Sequence, residues 1–254
     1  MIYKGMEEAT QGMIAMRAMQ DVVTNNLANA DTTGYQEDAL VVSDFDEAYT
    51  AALDGQGVPA GYTPVGGGVT GDVRLLFKSV TKFSQGRLKQ SSQPFDLALE
   101  GKGFFTVQAR DGVHYTRNGS FSVDPKGYLI TRDGGYVLGQ QGRIQVKGND
   151  FKVKPDGTIL VDNKAVDQLK LTWVDGKDLA KIGTSDFKAI NPMSWHATDR
   201  PKVMQGYLEM SNANPIKEMV KMLTIMRAFE AGQKLLQTED QMAQKADQIG
   251  QPAK

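Results

Sequence analysis

The first thirty residues carry an apolar track that advances by alternating steps of four and three. Ile2, Met6, Ala9, Met13, Met16, Val23, Leu27 and Ala30 occupy it, and Gln20 fills its one polar slot. A chain that keeps this spacing has a helical seam to bury, and the spacing predicts one long helix over 3–30. A helix with a single stripe cannot bury it alone, so another part of the chain must supply a partner. The far end has the same pattern. Asn214-Pro215 joins an N-cap residue to a proline at the first helical position. Met219, Met222, Met226, Phe229 and Leu236 then follow the four-three track, with Gln233 as its polar slot, and Leu235, Met242 and Ile249 form a second stripe. This helix is expected to run to about Gln248, because Pro252 cannot continue it.

Between the ends the period falls to two. Phe95, Leu97 and Leu99, then Val113 and Tyr115, Phe121 and Val123, and Leu169, Leu171 and Trp173 alternate with polar residues. Turn sequences punctuate the stretch: Asp111-Gly112, Asn118-Gly119, Asp124-Pro125-Lys126-Gly127, Asp133-Gly134-Gly135 and Asp156-Gly157. Short strands with such turns predict an antiparallel sheet closed into a barrel or sandwich. Ser43-Asp44-Phe45-Asp46 should open a short helix ended by Asp54-Gly55, and the glycine-rich stretch 55–71 reads as a flexible linker.

The expected fold is therefore α+β. Residues 1–35 and 204–254 form a terminal helical domain, its two helices paired as a coiled-coil-like unit. Residues 36–71 hold the short helix and linker, and 72–203 form the inserted β domain.

Net charge is −1 over 254 residues, which gives no global attraction to nucleic acid or to an anionic membrane. The charge is unevenly placed. Residues 1–50 hold nine acidic and two basic side chains, and 72–110 hold seven basic and three acidic. That pattern suits contacts between unlike parts of neighbouring molecules, and solvated faces would give it too. With no cysteine, disulfides and thiol catalysis are excluded. No apolar run approaches the roughly 20 residues that span a bilayer, and the N-terminus lacks the basic and apolar regions of a secretory signal. The expectation is a soluble chain without a cleaved leader.

Candidate chemistry is sparse. Gly66-Gly67-Gly68-Val69-Thr70-Gly71 matches a dinucleotide pattern, but Pro64 precedes it and the strand-like Val73–Phe77 follows it, where a phosphate site needs a helix N-terminus. His114 is expected on the solvent side of a strand, and His196 is about eighty residues away, so no zinc spacing arises. Asp44, Asp46 and Glu47 fit the first turn of a helix better than a metal site. Asp96 with Glu100, or Asp124 with Asp133, could be posed as glycosidase pairs, but their spacing does not separate them from ordinary turn carboxylates. Asn118-Gly119-Ser120 fits a glycosylation sequon and is better explained as a hairpin turn. No catalytic, cofactor or metal residue is expected. Eleven of the twelve methionines lie in the end segments, where an adaptable side chain suits packing against non-identical neighbours.

The ends carry a resemblance. "GMIAMRAMQDVVTNNLANADTTGYQ" resembles the N-terminal motif of the bacterial flagellar rod and hook proteins, with its NNLAN-x-x-T-x-G-[FY] signature. The C-terminal stretch is similar to that family's closing helix: Gly206, Glu209, Ser211 and Asn212 match G-x-x-E-x-S-N, and Arg227-Ala228-Phe229-Glu230 matches its R-[AR]-[FY]-E core. "PFDLALEGKGFFTVQARDGVHYTRNGSFSVDPKGYLIT" resembles the central β domain of the rod subgroup. Length and the "AQKADQ" ending look most like the proximal rod type, with the distal rod type close behind.

The resemblance implies a structural subunit of the basal-body rod, polymerising through its terminal helices into the axial drive shaft around the export channel. It implies partners among other rod and hook subunits and the flagellar export apparatus, and a place in the cell-envelope basal body reached without a cleaved signal. The expected assembly contacts are Met13, Met16, Val23, Leu27, Gly34 and Tyr35 at one end. At the other they are Ser211, Asn212, Met219, Met222, Met226, Arg227, Phe229, Glu230 and Leu236. Asn25, Asn26 and Asn29 add amides suited to bonding adjacent subunits, each with two donors and an acceptor. A second reading keeps the β domain as a periplasmic glycan-binding or glycan-cleaving module with helical arms.

Overall fold

The computed structural model describes residues 2–44, 62–64, 75–148, 150–174, 176–190, 195–196 and 201–250. Among the described residues it is α+β, with two α-helices and many antiparallel strands. The N-terminal helix spans Ile2–Ala28 and the C-terminal helix Pro215–Gly250. The first begins and ends within two residues of the span its periodicity predicts. The second starts at the proline, whose missing N–H costs nothing there. The chain divides into two compact units. One holds Met1–Leu27, Asp38–Val80 and Pro215–Lys254; the other holds Ala28–Glu37 and Thr81–Asn214.

The first unit contains both helices and a three-stranded sheet in the order Asp38–Asp44, Leu75–Thr81, Tyr62–Pro64. Ser43 and Asp44 close a strand rather than open a helix. The rest of the predicted short helix, the glycine-rich matches at 66–71 and the carboxylates Asp46 and Glu47 lie outside the described residues. Gly5 and Gly232 mark where the helices touch. A Cβ on Gly232 would lie 3.2 Å from Met13 Cγ, and one on Gly5 would lie 2.6 Å from the Glu239 carboxylate. The two contacts pair a rising number on one helix with a falling number on the other, so the helices run antiparallel where they meet.

The second unit is built on a ten-stranded sheet whose main path runs from Leu179–Ile182 to Phe121–Val123. Phe104–Ala109 lies inside it, between Gly112–Thr116 and Tyr136–Gly139. The alternation of that strand sends Phe105 and Val107 to one face and Phe104 to the other. Phe105 enters the larger core with Leu97, Leu129, Val137, Ile144 and Ile159. Phe104 joins Tyr115, Val174, Leu179 and Phe187 in a smaller one, where Phe83 packs edge-on at 5.6 Å and 5.0 Å between ring centroids. A three-stranded sheet, Phe151–Val153, Thr158–Val161 and Lys164–Gln168, shares the larger core.

The expected closed barrel does not form among the described residues. The strands are short, two to six residues in the ten-stranded sheet. The chain leaves for separate small sheets before the edges can meet. The pairs Leu97–Glu100 with Lys202–Gln205, and Leu88–Gln90 with Tyr207–Glu209, return the chain toward its end.

His114 is not on the solvent side. It is buried with Tyr115 and Thr116, while Val113 is exposed. Its ring lies between the Asp111 and Asp186 carboxylates, 3.0 and 4.0 Å from its two ring nitrogens. Asn118-Gly119 is not a free hairpin tip either: a Cβ on Gly119 would fall 1.6 Å from the Leu97 carbonyl oxygen.

Candidate assembly surfaces

The segment after the N-terminal helix is fastened into the β unit. Gly34 takes a φ of +69° and donates its amide to the Glu209 carbonyl at 2.8 Å. A Cβ there would sit 2.3 Å from the Asn118 amide nitrogen, so only glycine permits the approach. The Thr33 hydroxyl donates to Asn118 Oδ1 at 2.9 Å. Tyr35 is fully buried, with the Lys181 ammonium 3.9 Å from its ring centroid. The same ammonium donates to the Gln36 carbonyl at 2.9 Å. Asn29 turns the chain into this strap: its Oδ1 accepts from the Thr32 hydroxyl at 3.2 Å.

Residues close to the C-terminal helix in sequence hold the other side of the strap. Glu209 is 0% exposed. Its carboxylate accepts from Arg117 Nη1 and from the Gly86 amide, each at 3.1 Å. Arg117 also lies over the Phe104 ring, 5.2 Å from the centroid. A charge so deep is tolerable only with such partners. Asn212 Oδ1 accepts the Glu37 amide at 2.6 Å, and its Nδ2 donates to the carbonyls of Lys82 and Ser84 at 2.8 and 3.1 Å. The buried Ser211 hydroxyl accepts from the Ala213 amide at 3.1 Å. Thus Gly34, Tyr35, Ser211 and Asn212 meet within one unit, along with Glu209, which periodicity alone does not single out.

In the helical unit, Val23 and Asn26 are buried, Met13, Met16 and Leu27 are half-buried, and Asn25 is exposed. Asn26 makes a two-bond ring with one residue. Its Oδ1 accepts the Asp38 amide at 2.9 Å and its Nδ2 donates to the Asp38 carbonyl at 2.8 Å. The side-chain amide thereby imitates a strand partner where Asp38–Asp44 begins.

The C-terminal helix presents two tracks. Glu218, Met222, Ile225, Phe229, Gly232, Leu236 and Glu239 are buried or half-buried, in steps of four and three. Gly232 and Glu239 of this inner track are the residues that meet the N-terminal helix. The sequence-derived seam shares Met222, Phe229 and Leu236 with it. Its other members, Met219 and Met226, are exposed. They belong to an outward apolar track with Ile216, Val220 and Leu223, continued by Leu235 and Met242. Ile216 alone is 72% exposed. Arg227 and Glu230 are also exposed. The seam was thus displaced by one residue at every second position.

No group of three His, Cys, Asp or Glu side chains among the described residues is placed to hold a metal ion. His114 Nε2 lies 3.0 Å from the Asp111 carboxylate, and this hydrogen bond holds the Asp111 carboxyl below its ordinary range. Asp186, with its carboxylate 4.0 Å from His114 Nδ1, is pushed upward by burial.

Three family models match in chain order. Residues 6–36 match the flagella basal body rod protein model, 98–161 the flagellar hook protein FlgE/F/G D1 domain, and 204–249 the flagellar basal body rod FlgEFG protein C-terminal domain. The chain is 31% identical over 239 residues to the flagellar basal-body rod protein FlgF of Caulobacter vibrioides, covering 92% of each. The chain belongs to the flagellar basal-body rod protein family. It is also 31% identical over 267 residues to the FlgF of Salmonella typhimurium, covering 98% of this chain and 97% of that one. Similarity to the FlgG of Buchnera aphidicola subsp. Baizongia pistaciae is 30% over 253 residues, covering 93% and 96%. The two terminal family matches contain most of both helices, the strap as far as Gln36, and Glu209, Ser211 and Asn212, and the central match contains Arg117, Asn118 and most of the larger core.

Proposed function

We propose that this chain is a structural subunit of the flagellar basal-body rod that polymerises through its terminal helices. Family membership supports the structural role and leaves the glycan-directed reading without support. The observation that carries the assembly mode is the outward track Ile216, Met219, Val220, Leu223 and Met226. A monomeric protein rarely leaves so continuous an apolar face in water. Each such side chain gains about 1.5–3 kcal/mol when a neighbour covers it. The two helices of one subunit pair antiparallel in coiled-coil fashion along the inner track, and the outward track meets the next subunit. The partners are further copies and other rod and hook subunits. The site of assembly is the basal body, and delivery is by the flagellar export apparatus. No helix among the described residues is long and apolar enough to cross a membrane.

Electron microscopy of the concentrated protein tests this. The native chain forms filaments or rings, Leu223→Met forms them too, and Leu223→Asp does not. Normal polymers from Leu223→Asp would place the assembly contacts elsewhere.

A further inference from the structure

All the sulfur in this chain is thioether. It has twelve methionines and no cysteine, so no thiol competes for an oxidant. Among the described residues the exposed methionines are Met219, Met226 and Met242, at 53%, 46% and 54%. The other described methionines, Met222 of the inner track included, are half-buried. All three exposed ones lie on the outward track of the C-terminal helix. Around Met219 and Met226 that track offers Ile216, Val220 and Leu223, whose side chains carry no hydrogen-bond donor. Such a surface suits a thioether when a neighbour covers it. It has nothing to give a sulfoxide oxygen.

We propose that Met219, Met226 and Met242 form an oxidation-sensitive patch: an oxidant of the peroxide class converts them to sulfoxides in the unassembled chain, and a chain so modified fails to dock. This rests on the outward track being the surface that the next subunit covers, and it adds a modification site to that surface. In the step, a sulfur lone pair attacks one peroxide oxygen. The S–O bond forms and the O–O bond breaks. The departing hydroxide takes the proton shed by the transferred oxygen and leaves as water. Sulfur gives up two electrons and the peroxide gains them. The product is polar, and burying it against apolar side chains without a donor is costly. A methionine sulfoxide reductase reverses the step, its two thiols closing to a disulfide as the oxygen leaves in water. No fixed pairing of the two helices is needed, because a solvent-facing thioether stays open if they separate. Once a neighbour covers the track, the same sulfurs are shielded.

The test uses the native full-length chain and hydrogen peroxide. Dilute chain is oxidised briefly, so that different molecules carry sulfoxide at different positions, and is then concentrated and pelleted. Mass spectrometry reads the sulfoxide at each methionine in pellet and supernatant. Sulfoxide at Met219, Met226 and Met242 should be about fivefold or more scarcer in the pellet. Treating the supernatant with methionine sulfoxide reductases of both stereospecificities and a dithiol should return those chains to the pellet. Equal sulfoxide at the three positions in both fractions overturns the proposal, and so does a supernatant that stays unassembled after reduction. A second measurement applies the same peroxide dose to polymer already formed. There the three methionines should oxidise more slowly than in dilute chain. If they oxidise equally fast, the track is uncovered and the assembly reading itself falls. If they are protected in the polymer and yet their sulfoxides pellet freely, that reading stands and the oxidation-sensitive patch does not.

Discussion

Arg117 Nη1 sits 3.1 Å from Glu209 Oε2, and the residues are 92 positions apart. Neither is free to choose another partner, because Glu209 is sealed from solvent and Arg117 is nearly so. Removing the cation leaves a buried, uncompensated carboxylate, a loss of about 3–5 kcal/mol. Arg117→Met should therefore lower the melting temperature of the β unit by roughly 10 °C. Glu209→Gln should cost less, because its amide oxygen still accepts from the Gly86 amide at the site Glu209 uses. Calorimetry of both variants checks the order, and an equal or inverted order would show that the pair is not what holds the strap.

Two glycines should respond oppositely to alanine. Gly34 has a positive φ and backbone atoms within 2.3 Å of any added Cβ. Gly34→Ala should destabilise the β unit by at least about 1–3 kcal/mol, since strain and clash add. Gly12 lies within the N-terminal helix with nothing within 4 Å of an added Cβ. Gly12→Ala should stabilise that helix by about 0.5–1 kcal/mol. Urea denaturation followed at the two units separates these effects.

The pattern of the sequence made some of this architecture legible and hid the rest for identifiable reasons. Both helices were marked by four-three spacing, and their starts and stops by Pro215 and by the turn leading to Gly34. The phase of the second helix was not legible. Its true inner track contains Glu218 and Glu239, which a hydrophobic reading rejects, and apolar Met219 and Met226 were taken in their place. His114 departs from the alternation because that pattern assumes one wet face, whereas its ring is buried against Asp111 and Asp186. The asparagines near the end of the first helix drew attention as contacts for adjacent subunits. Asn26 instead spends its amide on Asp38 and Glu218 in its own chain. Nothing in sequence spacing ties position 26 to position 218.

The strap bears on where a stable fragment can be cut. Residues 28–37 and the strand Tyr207–Glu209 belong to the β unit, the strand pairing with Leu88–Gln90. A fragment of residues 28–214 should give one cooperative thermal transition. A fragment limited to 72–203 lacks the strap, Glu209 and Asn212. It should melt lower or without cooperativity. Equal transitions for both would mean that the strap adds nothing to the unit.

Asp186 offers a pH test with a definite sign. Burial raises its carboxyl in the folded state, and the weaker pulls of Thr116 and His114 do not cancel that. Protonation is thus easier folded than unfolded, and stability is lost as pH rises through the folded value. Asp186→Asn removes the penalty. Its melting temperature should exceed that of the native chain at neutral pH. The gap should close as pH drops below the ordinary carboxylate range. A gap of constant size would assign the effect to packing rather than ionisation.

Met222 and Met226 are one turn apart and yet face different surroundings. Met222 is half-buried on the inner track, and Met226 is 46% exposed on the outward one. Hydrophobicity alone gives the two the same weight, so their variants separate folding of the helical unit from assembly. Met222→Asp places a charge where the helices of one subunit meet. It should lower helical content in the dilute monomer and block assembly as a consequence. Met226→Asp places the charge in water in the monomer, where it costs little. It should leave the monomer's helical content and melting unchanged and still abolish sedimentable polymer, because the next subunit must bury it. Met226→Leu keeps volume and apolarity and should assemble. The comparison is circular dichroism of the dilute chain beside pelleting of the concentrated one. If Met226→Asp pellets like the native chain, the outward track is not the surface that the next subunit covers.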